Sequence, residues 1–247
     1  MANGVKEDVA LASPFFASVR SELKQLAGSR ELDALNELAA RRGMRMRFAS
    51  PSMEISGTGY EMAIAATGEV PTRDNLHDFF NALQWLAFLQ TKTAINEGHL
   101  RHIAPTMIRR PVARDVLTMI DESGVLVACE DASLLALLRE FRWRELFVGR
   151  RDEVIAKMRF SLIGHGLMER SLAPFIGLTG KAILLNVANE VALDAAAAAW
   201  IANDANLASS HNLSPLPLLG IPGWDARNES ASFYDNREYF RPGRRHT

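Results

Sequence analysis

Pro71-Thr72-Arg73-Asp74-Asn75-Leu76-His77-Asp78-Phe79-Phe80-Asn81-Ala82-Leu83-Gln84-Trp85-Leu86-Ala87-Phe88 is the stretch from which the fold is read. Pro71 to Asn75 is a helix-entry signal, a proline followed by small polar residues that cap. From Leu76 to about Glu97 the pattern is helical, with Gly98 placed to close it. At 3.6 residues per turn, His77, Asn81, Trp85, Phe88, Lys92, Asn96 and His99 fall on one side. Phe79, Leu83, Leu86, Ala87 and Ala94 fall on the other and form a core face. An ordinary outer face would carry Glu, Lys and Arg. His, Asn and Trp beside one lysine instead make directional hydrogen bonds or stack, so they suit a partly enclosed surface.

Working outward, Phe16, Val19, Leu23 and Leu26 recur at helical spacing, as do Leu32, Leu35 and Leu38, with Gly43 as a helix cap. Met44–Ala49 and Tyr60–Ala66 read as two strands joined through Gly57 and Gly59. Val116–Ile120 and Val125–Cys129 flank the turn-forming Asp121-Glu122-Ser123-Gly124 and read as a hairpin. Helices are expected over Ser133–Phe141, His165–Leu172 and Glu190–Ala202, and strands over Met158–Ile163 and Lys181–Val187. Pro215, Pro217, Pro222 and Gly223 forbid a helix or central strand in the tail, which should run extended over the body, pinned by Phe233, Tyr234, Tyr239 and Phe240. The expected fold is α+β: a helix-rich single domain around a small, mainly antiparallel sheet, with an extended proline- and aromatic-rich C-terminal arm. Within residues 1–247, a helical N-terminal part with the first strand spans 1–59, the body 60–242 and a frayed end 243–247.

Composition narrows the function classes. The chain has 247 residues, 48% hydrophobic and 23% charged, with a net charge of −1, so no whole-protein field draws it to nucleic acid or anionic lipid. One cysteine, Cys129, excludes an internal disulfide and reads as a small buried hydrophobe. The first thirty residues carry Lys6, Glu7, Asp8, Arg20, Glu22 and Lys24 and lack a signal-peptide run. The most apolar stretch, Val191–Ala202, is short, carries Asp194 and is bracketed by Glu190 and Asp204, so it does not span a bilayer. A cytoplasmic location follows by elimination.

The chemistry concentrates in two places. On a helix His165 and Glu169 are i and i+4, so both reach one point. Two histidines and a carboxylate can hold iron, zinc or manganese, and His77, His165 and Glu169 with Asp78 would supply such a set for one divalent ion. Nothing in the sequence brings 77 and 165 together. Each residue also has a plain structural reading. Asn75 caps and Asp78 completes a capping-box variant, His77 bonds a neighbouring loop, Trp85 and Phe88 are core, and Lys92 is solvated. No phosphate loop, dinucleotide fingerprint, nucleophile elbow or zinc ribbon is present. Arginines cluster at Arg41, Arg42, Arg45 and Arg47, at Arg109, Arg110 and Arg114, at Arg139, Arg142 and Arg144, and at Arg241, Arg244 and Arg245. With acidic neighbours these read first as solvated surface.

Pro71 to Asn75, His77 to Leu83 and Trp85-Leu86, continued by Thr91-Lys92 and Asn96, resemble the signature of a bacterial family known as domain of unknown function 3025. Leu117 to Gly124, Gly164-His165 with Glu169, and Gly177-Leu178-Thr179 are similar to further blocks of it. So are Pro215-Leu216-Pro217, Gly220 to Trp224, Phe233-Tyr234-Asp235 and Phe240-Arg241-Pro242. The resemblance runs from about Tyr60 to Pro242 and implies a bacterial cytoplasmic protein, with no activity, substrate or cofactor attached. One departure stands out: the family pattern has proline where this chain has Leu89. A proline there would break the helix, which implies that the polar face holds as far as Phe88 and that a second helix starts near Gln90.

Three functional readings follow. The first is an enzyme, hydrolytic or metal-assisted. His77 and His165 would be ligands or acid–base groups and Glu169 a ligand or base; Asn81, Lys92 and Asn96 would orient a small polar or anionic substrate between apolar walls at Trp85 and Trp224. The alternative is a non-catalytic binding or interaction protein in which the same polar residues form a structural network. The weakest is an RNA or nucleotide binder using the arginine clusters.

Overall fold

The computed structural model describes residues 11–51, 59–103, 111–188 and 192–244. A 3-10 turn, Pro14–Val19, runs into helix α1 (Arg20–Leu26), and α2 (Leu32–Arg41) follows. Their periodic apolar residues, Phe16, Val19, Leu23, Leu26, Leu35 and Leu38, are all buried as the spacing predicts. Gly43, with φ +69°, follows α2 in the left-handed region, where glycine carries no Cβ penalty.

The first two strands differ from expectation. Strand β1 (Arg47–Ala49) pairs in parallel with β2 (Glu69–Pro71), and Tyr60–Ala66 lies in a helix, α3 (Gly59–Thr67). Gly57 lies outside the described residues. Parallel neighbours need a crossover, and the alanine-rich run with its high helical propensity supplies it.

Helix α4 (Leu76–Ala87) is capped by Asn75, whose side chain accepts from Asp78 N at 2.7 Å. The helix stops at Phe88, where φ −130° and ψ 57° leave the helical region, and α5 (Leu89–Arg101) begins at once. Leu89 is thus the first residue of a new helix, as the family pattern implies, and Gly98 lies inside it rather than closing the first. The Asp194 carboxylate caps α5 from outside, accepting from Gln90 N at 3.0 Å and Thr91 N at 2.8 Å.

The expected hairpin is absent. Val116, Leu117 and Ile120 are buried on helix α6 (Val112–Ser123), whose last turn contains Asp121 and Glu122, and strand β3 (Gly124–Ala128) follows without a turn. Five β-branched or long apolar residues in a short window fit either period, and tertiary packing chose the helix. Downstream come α7 (Ala132–Arg139), α8 (Arg151–Lys157), β4 (Arg159–Leu162), α9 (His165–Arg170), β5 (Thr179–Leu185), α10 (Leu193–Ala202), α11 (Asp204–Leu207) and β6 (Ser214–Pro217). α7, β4, α9, β5 and α10 lie close to where the sequence places them, while α8 and α11 were not expected; Glu190 lies outside the described residues.

The main sheet has the order β4-β3-β5-β6, with β3 parallel to β5 and the other two pairings antiparallel. Val125, Val127 and Ala182 point into one core with α1, α2 and α4. Leu126, Ala128, Ile183 and Leu185 point into a second core with α5, α6 and α10. This is a helix-rich α+β architecture around a small, mainly antiparallel sheet. Pro215 and Pro217 sit on β6, an edge strand, where a missing N–H does no harm. The arm beyond it is pinned as its aromatics predict, but it is not extended: it winds through 3-10 turns at Leu218–Gly220, Ala226–Glu229 and Ala231–Asp235, which proline-rich chain accommodates because such short turns need few backbone N–H donors. Tyr234 donates its hydroxyl to Gly220 O at 2.7 Å, and Tyr239 donates to Leu178 O at 2.7 Å while accepting from Leu219 N at 2.9 Å.

Because Leu89 opens α5, Leu89→Pro should leave stability within about 1 kcal/mol of the parent, since proline is tolerated at a first helical position. Trp85→Pro, inside α4, should cost about 3 kcal/mol or more. Urea unfolding of the two variants checks this; equal losses would contradict two separate helices.

Candidate functional site

Helices α4, α6 and α9 meet at one end of the main sheet. The approach is close because of glycine. A Cβ on Gly164 would lie 2.5 Å from the backbone nitrogens of Ser123 and Gly124, and one on Gly166 would overlap the Glu122 carboxylate. Only a Gly-His-Gly entry to α9 lets the last turn of α6 sit against His165.

His77 Nε2 and His165 Nε2 face each other at 3.0 Å, with ring centroids 4.4 Å apart and the rings nearly perpendicular. Glu122 Oε1 lies 3.4 Å from His165 Nε2 and 3.7 Å from His77 Nε2. These three atoms form a triangle whose centre is about 2.0 Å from each corner, which matches Zn–N and Zn–O bond lengths of about 2.0–2.2 Å. The three side chains form the one group of metal-ligating type among the described residues. Hydrogen bonding from His165, with its charge beside the carboxylate, holds the Glu122 carboxyl below the usual range against the opposing effect of burial.

Each histidine has a carboxylate behind it. His77 Nδ1 bonds Glu169 Oε2 at 3.0 Å. His165 Nδ1 is buried, has no hydrogen-bond partner and faces Asp121 Oδ2 at 3.8 Å, too far for a bond. If His77 donates through Nδ1 to Glu169, its Nε2 is a lone pair. A neutral His165 can then fill the gap only by donating from its own Nε2, which leaves a bare nitrogen at Nδ1 facing a carboxylate. An ion between the two Nε2 atoms lets both Nδ1 atoms carry protons toward Glu169 and Asp121, the usual arrangement around metal-bound histidine.

Deeper in, the polar face becomes a closed network. Lys92 is 2% exposed and donates to Asn81 Oδ1 at 2.8 Å and to Asp121 Oδ1. Asn81 donates to the Tyr60 hydroxyl at 2.9 Å. The Lys92 ammonium lies 5.6 Å over the Trp85 ring. Burial works to raise the Asp121 carboxyl, but the Lys92 charge outweighs it together with His165 and holds it low. Burial, with the Asp121 charge next, pushes the Tyr60 hydroxyl far above its ordinary value.

The expected site residues therefore part company. His77 and His165 come together. Glu169 backs His77 rather than facing the gap. Asp78 is turned away: it accepts from Arg73 N at 2.8 Å and pairs with the Arg73 guanidinium, two residues before the Asn75 cap, so it is structural without closing the expected capping box. Lys92 is buried, not solvated. Asn96 donates to Glu61 O at 3.2 Å, and His99 lies 3.6 Å from Glu61. Phe88 belongs to the second core. Trp224 packs on Phe15 and Phe160, with no ring contact to the histidines. Sequence reasoning missed Glu122 and Asp121, which it placed in a turn; the glycines flanking His165 were the one signal that something packs there. Arg109, Arg110 and Arg245 lie outside the described residues.

Fold and site define a helix-rich α+β protein with an imidazole–carboxylate cluster at the junction of three helices. Residues 46–244 match the family described as Protein of unknown function (DUF3025), and the chain belongs to that family. The match begins fourteen residues before the resemblance at Tyr60 and so takes in β1. No curated protein and no solved structure matches the chain.

Removing Lys92 strands a half-buried carboxylate. Lys92→Met should cost about 3–5 kcal/mol, and adding Asp121→Asn should recover a large part of that loss. Chemical denaturation of the double-mutant cycle reads it; strictly additive losses would mean that the two charges are not coupled.

Proposed function

We propose that the protein is a metal-dependent enzyme in which His77, His165 and Glu122 hold one divalent ion. The observation that supports this most is the His77–His165–Glu122 triangle with the orphaned His165 Nδ1 behind it. Charge agrees. With neutral imidazoles, Asp121, Glu122 and Glu169 bring three negative charges against the one positive charge of Lys92, and a divalent ion neutralises the group. Three protein ligands leave a position open, the mark of catalytic rather than structural sites, and His77 and Glu122 are 38% and 43% exposed, open to a small molecule.

An ion held by His77, His165 and Glu122 would supply Lewis-acid chemistry, lowering the pKa of a water toward neutrality, which suits hydrolysis of a small polar or anionic substrate. Glu169 orients His77, and Asp121, fixed by Lys92, orients His165. Asn81 and Lys92 are removed from substrate contact by their burial, and for Tyr60, Asn81, Lys92 and Asp121 the structural-network reading is the better one. A cytoplasmic location accords with the lone buried Cys129, and among the described residues no helix is long and apolar enough to cross a membrane.

Protein purified without a metal-affinity tag should carry near-stoichiometric zinc, iron or manganese, or take it up on titration. At 100 times Kd the ion adds about 2.7 kcal/mol, on the order of 5–10 °C in Tm, which a chelator should remove. His77→Ala and Glu122→Ala should abolish the shift, Glu169→Gln should weaken the ion about 10–100-fold, and Asp78→Ala should leave binding intact. A folded wild type that takes up none of the three metals overturns the reading.

A further inference from the structure

A second polar feature lies on β5 and β6. Thr179 and Lys181 of β5 are two apart and share a face, and their register partners Pro217 and Pro215 share it with them. All four line a cavity of about 640 Å³, the size of a small-molecule site. Phe141 and Trp143 form part of its wall, and Arg241 and Arg244 reach it from the C-terminal arm.

The charges in it differ from those of several other arginines. Arg42 is paired with Glu22, Arg47 with Glu69, Arg142 with Glu145 and Arg144 with Asp235. A neighbouring groove that shares Phe141 and Trp143 contains the last two of these pairs. In the cavity, Lys181 is half-buried on a strand with no hydrogen bond or ion pair among the described residues. Arg244 donates only to backbone carbonyls, His211 O at 2.7 Å and Leu213 O at 2.9 Å, and its guanidinium lies 5.8 Å over the Phe141 ring. Burial, together with the Arg244 charge, pushes the Lys181 ammonium below the ordinary lysine range, and burial lowers Arg244 as well. Glu238 is the one carboxylate in the lining, and it pairs with neither cation.

Phe141 has a φ of +60° because it follows α7 in the left-handed turn that ends the helix: Arg142 N donates to Leu137 O at 2.9 Å and Phe141 N to Leu138 O at 3.2 Å. That turn sets the Phe141 ring in the cavity wall. The cost of holding Lys181 and Arg244 without a counter-charge falls away if the cavity has an occupant with negative charge.

We propose that this cavity binds a small organic phosphate, its anionic group between Lys181 and Arg244 and its apolar part against Phe141 and Trp143. Thr179 supplies a neutral hydroxyl at the same wall. The cavity's size and the ion-paired arginines of the neighbouring groove favour a small molecule over a polynucleotide, which needs a strip of free cations. The inference does not rest on the metal reading.

The test uses phenyl phosphate and inorganic phosphate on the full chain, with a chelator present so that no divalent ion contributes and ionic strength held constant with sodium chloride. Phenyl phosphate should raise the Tm of the wild type and bind saturably by calorimetry, more tightly than inorganic phosphate. Lys181→Met should melt higher than the wild type without ligand, because it removes a half-buried unpaired charge, and should lose the response to phenyl phosphate. Lys181→Gln gives the same comparison should the methionine variant not fold. A wild type that does not respond, or a Lys181 variant that responds as the wild type does, overturns the proposal. Displacement of phenyl phosphate by a short single-stranded RNA overturns the small-molecule assignment.

Discussion

The site depends on one contact between backbones. Gly124 O accepts from both Ile163 N and Gly164 N at 3.0 Å, so the end of β4 and the start of α9 lie directly on the junction of α6 and β3. There is no room for a side chain at Gly164. This contact puts the last turn of α6 against the first turn of α9, and Asp121 and Glu122 against His165. It also registers the sheet, because β3 pairs with β4 on one side and β5 on the other. A bulkier residue at this crossing would move two helices and an edge strand together.

Depth then divides the polar face of α4 and α5 into two kinds of chemistry. Near the surface, His77, Glu122 and Glu169 keep access to solvent, and the hydrogen bonding of His165 is left incomplete. One turn further in, Lys92 is shut away from water and spends its donors on Asn81 and Asp121. Taking an ammonium ion out of water is unfavourable unless its donors are met, so the network around Lys92 is tightly specified. Its effect on the cluster is indirect: it fixes the carboxylate that faces His165. A face that looks uniform in the helical pattern is therefore part site and part scaffold.

The cation-lined cavity belongs to the same end of the sheet. Gly124, where α6 gives way to β3, is the register partner of Lys181. The proline-rich arm has a double part here. Its prolines keep β6 at the edge of the sheet, and its later residues carry Arg241 and Arg244 back across the strands. Tyr239, bonded to both Leu178 and Leu219, ties that return to the start of β5.

Elements whose signals are local can be placed without the tertiary structure. The Asn75 cap, the apolar periodicity of α1, α2 and α4, the edge character of Ser214–Pro217 and the aromatic pins of the arm follow from backbone chemistry and side-chain spacing within a few residues. The break at Phe88 was not legible in the chain's own pattern, which reads as one helix from Leu76 to about Glu97; the family resemblance implied it, through the proline the family has where this chain has Leu89. His77 and His165 could be named as candidates, since each sits on a helix with a carboxylate in reach. That they meet follows from the packing of α4 and α9. The sequence lacks any rule linking residues 88 positions apart, and a short apolar window such as Val116–Ile120 satisfies strand and helix equally. Packing of α6 on the second core settled that window as a helix, and with it moved Glu122 from an expected turn into the cluster. Asp78 and Glu169 were both plausible ligands by spacing; distance alone assigned one to Arg73 and the other to the back of His77.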